Sequence, residues 1–185
     1  MDTITSTQIV GGNPGQKRSE RDFYPTPDEV TRALLDLLQL PKNITIWEPA
    51  AGEGDMAKTM RNAGYNVIES DILTGNDFLT EPCKECDWII TNPPFDIADK
   101  FIERCAKHQR PFALLLKSQY FHARKRYELF CDHQPTLVCP LTWRPDFLFK
   151  KHTKRSAPLM DVIWCVWVQD KACTTTYRPL LKPEE

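Results

Sequence analysis

Residues 44–71, ITIWEPAAGEGDMAKTMRNAGYNVIESD, decide the fold that this sequence predicts. Two short apolar runs, 44–48 and 67–71, flank a segment with helical spacing of apolar residues, 55–63, which Gly64 ends. A strand, a helix and a second strand in this order form a right-handed crossover between parallel neighbours. The stretch therefore predicts a β-α-β unit.

The same alternation continues on both sides of this unit. Upstream, the sequence from Thr26 to Glu29 predicts a helix that Thr26 caps and that Pro41 ends. Downstream, further strands are predicted at 87–91, 112–117, 136–139 and 162–168, with a helix that buries Ala98, Phe101, Ile102 and Cys105 and a basic helix after residue 117. The fold class is therefore α/β, a mostly parallel sheet with helices on both faces. The last two strands, which have no helix between them, are expected to form an antiparallel edge hairpin.

Length and composition indicate one domain. The chain has 185 residues, 41% of them hydrophobic and 26% charged, as is usual for a globular domain. Residues 1–21 are polar and lack periodicity, which predicts a flexible tail before a single domain at 22–185. No apolar run is long enough to cross a bilayer and no signal segment opens the chain, so a cytoplasmic location is expected.

Seven dispersed cysteines suit a reducing compartment, where they act as small buried apolar residues or free thiols. Cys83 and Cys86 form one CxxC pair, but a structural zinc site needs four ligands. No second pair follows at a suitable spacing, so no metal site is predicted.

The net charge of −1 argues against general attraction to polyanions, but basic residues are clustered. Each cluster is either a solvated face or a set of phosphate contacts. The candidate nucleic-acid contacts are Arg124, Lys125, Arg126, Arg144, Lys150, Lys151, Lys154 and Arg155.

Three predicted loops follow strands, where ligands bind in open parallel sheets. In the first, Gly52 and Gly54 allow a ligand to approach the backbone closely, and Glu48 at the strand end disfavours a phosphate. A nucleoside that carries an amino acid and a sulfonium fits this loop better than a dinucleotide does. After the second strand, Asp71 is placed to bind a ribose diol or, alternatively, to cap a turn. Asp77 and Phe78 could edge and sandwich an adenine ring.

The segment Thr91–Phe95 directly follows a third apolar strand. Pro93 and Pro94 rigidify the turn and hold an amide side chain and a backbone carbonyl outward. A primary amine on a planar ring needs two acceptors for its N–H groups, which the Asn92 side-chain oxygen and the Pro93 carbonyl can provide. Phe95 offers a face on which the ring can stack. The alternative is a purely structural Asn-Pro-Pro turn.

The motifs DFYPTP (22–27), EPAAGEG (48–54), SDI (70–72), NDF (76–78) and TNPPF (91–95) occur in this order. Over roughly residues 22–168, the chain resembles the small adenine-N6 DNA methyltransferases of phage and prophage type. The resemblance implies a Rossmann-like class I fold with a seven-stranded sheet and S-adenosylmethionine as cofactor. It also implies a cytoplasmic enzyme of a bacterium or phage-infected cell that methylates adenine N6 in DNA. Because the chain has no room for a target-recognition domain, a partner subunit is the expected source of target recognition.

The resemblance also assigns roles to residues. The methionine part of the cofactor would be held by Phe23, Tyr24, Thr26 and the loop of Glu48, Pro49, Ala50, Gly52 and Gly54, with Asn92 beside it. Asp71 would bind the ribose, and Asp77 with Phe78 would bind the cofactor adenine. The catalytic segment Asn92, Pro93, Pro94 and Phe95 would hold the target base.

Other functions stay open at this point. Asn-Pro-Pro also occurs in RNA adenine methyltransferases and in enzymes that methylate a glutamine amide, although the latter more often carry tyrosine where this chain has Phe95. A non-catalytic nucleic-acid-binding subunit with the same fold is a third alternative.

Overall fold

Helices and strands alternate along most of the chain in a computed structural model that describes residues 24–147, 160–168 and 174–184. The helices are α1 (Asp28–Leu38), α2 (Asp55–Asn62), α3 (Ala98–His108) and α4 (Tyr127–Asp132). The strands are β1 (Thr45–Glu48), β2 (Asn66–Glu69), β3 (Trp88–Thr91), β4 (Phe112–Lys117), β5 (Leu137–Pro140), β6 (Val162–Trp167) and β7 (Thr176–Tyr177). These bounds lie within two residues of the six strands that the sequence predicts.

The seven strands form one sheet in the order β2-β1-β3-β4-β6-β5-β7. Strand β6 pairs antiparallel with both β4 and β5, and the other pairs are parallel. The chain runs from β1 outward to β2 and then returns to the other side of β1 to form β3. The strand order therefore reverses next to β1, which opens a crevice at the carboxyl ends of β1 and β3.

Alternate side chains of the strands bury against helices on the two faces of the sheet. Ile46 and Ile90 belong to a core cluster that also contains Leu34 of α1 and Met60 of α2. Their neighbours Trp47 and Ile89 face the other side, where the cluster includes the α3 residues predicted to be buried: Ala98, Phe101, Ile102 and Cys105. Because both faces are covered, the central strands β3, β4 and β6 are apolar almost throughout.

The antiparallel pairing of β5 with β6 is confirmed, and the structure adds β7 outside this pair. All six residues of β6 are buried, which suits a strand between β4 and β5. Both residues of β7 are exposed.

Two local predictions were wrong. Helix α1 begins at Asp28 with Pro27 at its N-cap position and without a side-chain cap, because the Thr26 hydroxyl bonds to Asn92 instead. The basic residues 124–126 form a 3₁₀ turn ahead of the short helix α4. Within the described ranges, every helix is too short or too polar to cross a membrane.

Candidate active site

A cleft of about 560 Å³ lies at the carboxyl ends of β1 and β3, where the strand order reverses. Its size falls in the range of small-molecule sites, roughly 300–1,000 Å³. Side chains from the predicted strand-end loops line it, together with the segment before α1 and the start of α3. They include Tyr24, Thr26, Glu48, Ala50, Asp71, Ile72, Leu73, Leu79, Asn92, Pro94 and Ile97.

A larger cleft, about 840 Å³, lies at the opposite end of the sheet, beside Thr45, Asn66 and Asp87. It adjoins the amino ends of β1, β2 and β3 and is lined by charges of both signs. Ligands of open α/β sheets bind beyond the carboxyl ends of the strands. The smaller cleft is therefore the candidate site.

Glu48 places a buried carboxyl group on the wall of this cleft. Its side chain is 2% exposed, and its Oε2 atom has no hydrogen-bond partner in the part of the chain that the structure describes. Burial, and then the neighbouring carboxylate of Glu69, raise the pKa of Glu48 well above its usual value. A cation in the cleft would favour the ionised form, so Glu48 suits a positively charged ligand.

The loop after Glu48 turns tightly into α2. Gly52 and Gly54 adopt positive φ angles of 55° and 80°, and a Cβ atom on Gly54 would lie 3.0 Å from a Glu69 carboxylate oxygen. Ala50 lines the cleft, whereas Pro49 is buried. The glycines thus shape the turn behind the cleft wall.

Asp71 links the first two loops and also lines the cleft. Its Oδ2 accepts a hydrogen bond from the Gly52 N–H at 2.8 Å, and its Oδ1 accepts one from the Leu73 N–H at 2.8 Å. Asp71 therefore caps the short 3₁₀ helix Ile72–Thr74. Each carboxylate oxygen has a second lone pair, so the cap still allows a ligand hydroxyl to bind.

Phe78 does not lie in the cleft, which corrects the expectation that it sandwiches an adenine. Its ring is 2% exposed and packs at centroid distances of 5.1 Å from Trp47 and 4.8 Å from Phe101. The adjacent Asp77 accepts a hydrogen bond from the Leu79 N–H and shapes the turn. Buried aromatic side chains contribute strongly to the stability of a core, so the role of Phe78 in this structure is packing.

Ile72 and Leu73 line the cleft and are 69% and 79% exposed. Sequence reasoning missed both residues. The signal was present, because two large apolar residues follow the strand-end Asp71 in an otherwise polar loop. With Leu79 and Ile97 they give the cleft an apolar wall that suits a flat ring.

Asn92 is held by the segment before α1. Its Nδ2 atom donates to Thr26 Oγ1 at 3.1 Å and to the Tyr24 carbonyl at 3.4 Å. Its Oδ1 atom is buried and accepts no hydrogen bond from any residue that the structure describes. An unsatisfied buried acceptor costs about 1–3 kcal/mol. A ligand that donates an N–H to this oxygen would remove that cost.

Phe95 is packed more tightly than a free stacking face would be. It is 8% exposed, its centroid lies 6.1 Å from that of Tyr24, and the Lys117 ammonium lies 4.7 Å from its centroid. Pro93 is buried and Pro94 lines the cleft. The Lys117 ammonium therefore lies over one face of the Phe95 ring, and Phe95 is not among the residues that line the cleft.

The described basic residues differ in how readily they could contact a nucleic-acid phosphate. Arg124 and Lys125 are exposed. The Arg126 guanidinium lies 3.7 Å from the Tyr120 ring centroid and donates to the Tyr120 carbonyl, so it stabilises the turn. Arg144 forms an exposed ion pair of 2.7 Å with Asp161. Phe23, Lys150, Lys151, Lys154 and Arg155 lie outside the described residues.

No protein-family model and no curated protein sequence matches this chain. Solved structures do match, among them a candidate class I S-adenosylmethionine-dependent methyltransferase from Listeria monocytogenes (16% identity, TM-score 0.57, 90% of this chain and 68% of that chain). A methyltransferase subunit of a type I restriction-modification system from Streptococcus thermophilus matches at 15% identity and a TM-score of 0.58, over 80% of this chain and 45% of that chain. A candidate RNA methyltransferase from Pyrococcus horikoshii matches at 14% identity and a TM-score of 0.60, over 82% of this chain and 88% of that chain.

The chain has the fold of the class I methyltransferases. In this methyltransferase fold, the cleft described above lies at the switch point of the sheet. Within the described residues, no group of three or more His, Cys, Asp or Glu side chains is arranged to hold a metal ion.

Proposed function

We propose that this chain transfers a methyl group from S-adenosylmethionine to the exocyclic N6 amine of adenine in a nucleic acid, with DNA as the favoured substrate. The observation that carries this proposal is the amide of Asn92, whose buried oxygen lacks a hydrogen-bond donor among the described residues. This amide lies on the wall of a cleft large enough for a nucleoside cofactor. Solved structures of the same fold include a restriction-modification methyltransferase subunit, which supports a nucleic-acid substrate.

The proposed cofactor matches the chemistry of the cleft from end to end. Glu48 faces its positively charged part, and Tyr24, Thr26 and the Ala50 loop surround its methionine part. The ribose hydroxyls bind Asp71, whose oxygens retain free lone pairs. The cofactor adenine lies against the apolar wall formed by Ile72, Leu73, Leu79 and Ile97. Asp77 caps the turn that leads to Leu79, and it stays a predicted contributor to the binding of the cofactor adenine.

The target adenine binds beside Asn92 in this proposal. The Asn92 side-chain oxygen and the Pro93 carbonyl accept its two N6 hydrogens, and its ring stacks on Phe95 once Lys117 has moved aside. The two acceptors help the delocalised N6 lone pair to localise, so that N6 attacks the sulfonium methyl in line. The new N–C bond forms as the S–C bond breaks, and the proton then leaves the ammonium group for solvent. Catalysis rests on orientation and electrostatics.

Nucleic acid must present the base outside the stack, since a paired adenine cannot reach the cleft. Phosphate contacts offset the cost of flipping, and the exposed Arg124 and Lys125 are candidates for them. The basic segment with Lys150, Lys151, Lys154 and Arg155 is the second candidate, and a partner subunit is the proposed source of sequence recognition. Arg144 reaches phosphate only if it leaves Asp161.

The proposal is tested by methyl transfer from isotope-labelled S-adenosylmethionine to DNA oligonucleotides, RNA oligonucleotides and free nucleosides, followed by digestion and chromatography. We expect label in N6-methyldeoxyadenosine from DNA. Label in RNA alone would favour the second candidate function, RNA adenine methylation, which the similarity to a candidate RNA methyltransferase supports. Label on cytosine or on a glutamine amide would contradict adenine specificity. Cofactor binding without transfer to any substrate would indicate a non-catalytic subunit.

Cofactor affinity is expected to increase with pH as Glu48 ionises. Burial raises the pKa of Glu48 in the free protein, and a bound cation lowers it, so binding releases a proton. Affinity is therefore lost as the pH falls through the raised pKa of the free protein. Calorimetry at a series of pH values from the ordinary pKa of a glutamate upward, in buffers of different ionisation enthalpy, measures both effects. Glu48→Gln should abolish proton release, whereas Glu53→Gln, in the exposed part of the same loop, should retain it. Proton release that persists in Glu48→Gln would assign the effect to another group.

Nucleic-acid binding is expected to depend on two basic clusters, one at residues 124–126 and one at residues 150–155. Their contribution should appear in the salt dependence of the affinity. Each lost phosphate contact reduces the slope of log affinity against log salt by roughly 0.7–0.9. Two variants are compared by fluorescence anisotropy: one with Lys150, Lys151, Lys154 and Arg155 changed to alanine, and one with Arg124 and Lys125 changed. The matched control changes Lys107 and Arg110, which are exposed and precede β4 at the other end of the sheet. Parental slopes in both test variants would show that the clusters are only solvated surface.

A further inference from the structure

The orientation of the Asn92 amide decides what the candidate site can bind. The two ends of an asparagine amide have nearly the same shape, but one donates hydrogen bonds and the other accepts them. The Nδ2 end points to Thr26 Oγ1 and the Tyr24 carbonyl, and the buried Oδ1 end has no hydrogen-bond donor among the described residues. If the amide turned over, the site would present N–H groups in place of an acceptor.

The two groups that hold the amide act differently. The Tyr24 carbonyl can only accept, so a reversed amide would place two oxygen atoms against each other without a proton between them. The Thr26 hydroxyl can donate or accept, so it does not by itself choose between the two orientations. It makes the shorter contact, 3.1 Å against 3.4 Å, and holds the amide beside the Tyr24 carbonyl. Thr26 is 5% exposed, so water cannot readily replace its hydroxyl.

The segment that carries these groups is itself fixed to the fold. Asp28 accepts a hydrogen bond of 2.8 Å from the Thr59 hydroxyl of α2. The Val30 carbonyl accepts one of 2.9 Å from the buried indole N–H of Trp164 in β6. Helix α1 is therefore tied to both an adjacent helix and the sheet, and it holds Thr26 at a constant position relative to Asn92.

We propose that Thr26 is a positioning residue, which holds the Asn92 amide against the Tyr24 carbonyl so that the amide oxygen stays toward the substrate, and thereby restricts the site to substrates that donate a hydrogen bond to that oxygen. The inference rests on the proposed function and adds a selection rule to it. An exocyclic amine meets an acceptor at Oδ1, whereas an oxygen nucleophile without a proton meets repulsion. Thr26 has few alternative rotamers, because its side chain is buried beside the Asn92 amide.

This role differs measurably from a role in holding the cofactor. If Thr26 only bound the cofactor, its loss would raise the cofactor KM, and kcat would recover at saturating cofactor. If Thr26 orients Asn92, kcat falls even when cofactor and nucleic acid are both saturating. The loss is expected to be on the order of tenfold, the effect of one hydrogen bond on the population of molecules in which the amide is held against the Tyr24 carbonyl.

The test compares T26V and T26S in the full chain, with T31V as the matched control. Valine keeps the shape of threonine but lacks the acceptor, and serine keeps the acceptor. Thr31 is fully buried on α1, and its hydroxyl bonds to no partner within the described residues, so T31V makes the same chemical change away from the site. We expect a reduced kcat in T26V, near-parental kcat in T26S, and parental kcat in T31V. Parental kcat in T26V, or equal losses in T26V and T26S, would overturn the proposal.

A second measurement makes the result independent of catalysis. The side-chain amide resonances of Asn92, assigned by their absence in N92A, should shift in T26V and stay in place in T31V. If no substrate accepts a methyl group, this spectrum still tests the amide orientation, and only the proposed function fails. If methyl transfer is found but T26V leaves both kcat and the resonances unchanged, only the role of Thr26 fails. Thermal unfolding is followed throughout, and should valine not be tolerated, T26A and T26S make the same comparison.

Discussion

Replacing Asn92 by alanine is expected to lower kcat for methyl transfer by roughly 100- to 1,000-fold, the usual effect of removing one preorganised polar contact to a reacting group. The variant lacks the oxygen that accepts the N6 hydrogen, whereas the groups proposed to bind the cofactor remain. Cofactor affinity is therefore expected to stay close to that of the parent. Single-turnover kinetics measures the methyl transfer step, and calorimetry measures cofactor binding.

Asn66→Ala is the matched control, because Asn66 is exposed at the start of β2, at the other end of the sheet. It should leave both quantities unchanged. A parallel loss of kcat and cofactor affinity in Asn92→Ala would show that Asn92 only supports the loop. A parental kcat would remove Asn92 from the reaction.

The elements around the cleft could be predicted because their signals are local. The run that becomes β1 is bounded by Pro41 and by the glycines of the following loop, so its carboxyl end is evident from the sequence. Because β1, β2 and β3 run parallel, their carboxyl ends place Glu48, Asp71 and Asn92 at one edge of the sheet, and the structure brings all three to one cleft. Local pattern and chain topology were sufficient to bring these three side chains together, and their roles stay a prediction.

The resemblance implied a seven-stranded sheet, which the structure confirms. The position of β7 in the chain could not be predicted, because nothing in its own sequence requires a strand. Thr176 and Tyr177 are exposed and pair with β5 only because that strand has a free edge. Its existence depends on a neighbour almost 40 residues away in sequence, and no pattern within two residues encodes such a partner.

Two side chains show why residue types alone misplace groups at the site. The Asp-Phe pair at 77–78 suits a ligand ring in sequence, but Phe78 fills a gap between Trp47 and Phe101. Thr26 suits a helix cap, but its hydroxyl bonds to Asn92, 66 residues away. In both cases a long-range contact determines which of two plausible uses the side chain has.

Replacing Asp71 by alanine is expected to weaken cofactor binding at least 100-fold. Hydrogen bonds to a charged group contribute about 1.5–3 kcal/mol each, and a ribose diol offers two. The same change also removes the acceptor of the Gly52 and Leu73 N–H groups, so both loops lose a tether. Asp87→Ala is the matched control, since Asp87 accepts a hydrogen bond from the Thr45 N–H at the opposite end of the sheet. It should lower the free energy of unfolding without changing cofactor affinity.

A double-mutant cycle separates the direct and indirect roles of Asp71. It compares how the parent and Asp71→Ala bind S-adenosylhomocysteine, the product that the cofactor becomes after methyl transfer, and its 2′,3′-dideoxy form. If Asp71 binds the diol, loss of the hydroxyls weakens binding to the parent but has little effect on Asp71→Ala, so the two changes are strongly non-additive. If Asp71 only tethers the Gly52 and Leu73 loops, removal of the hydroxyls weakens binding by the same factor in both proteins, and the two losses of binding free energy add. Calorimetry of the four combinations therefore decides whether the carboxylate that caps Ile72–Thr74 also holds the ribose. Additive losses would show that Asp71 does not bind the diol and acts on cofactor affinity only through the Gly52 and Leu73 loops.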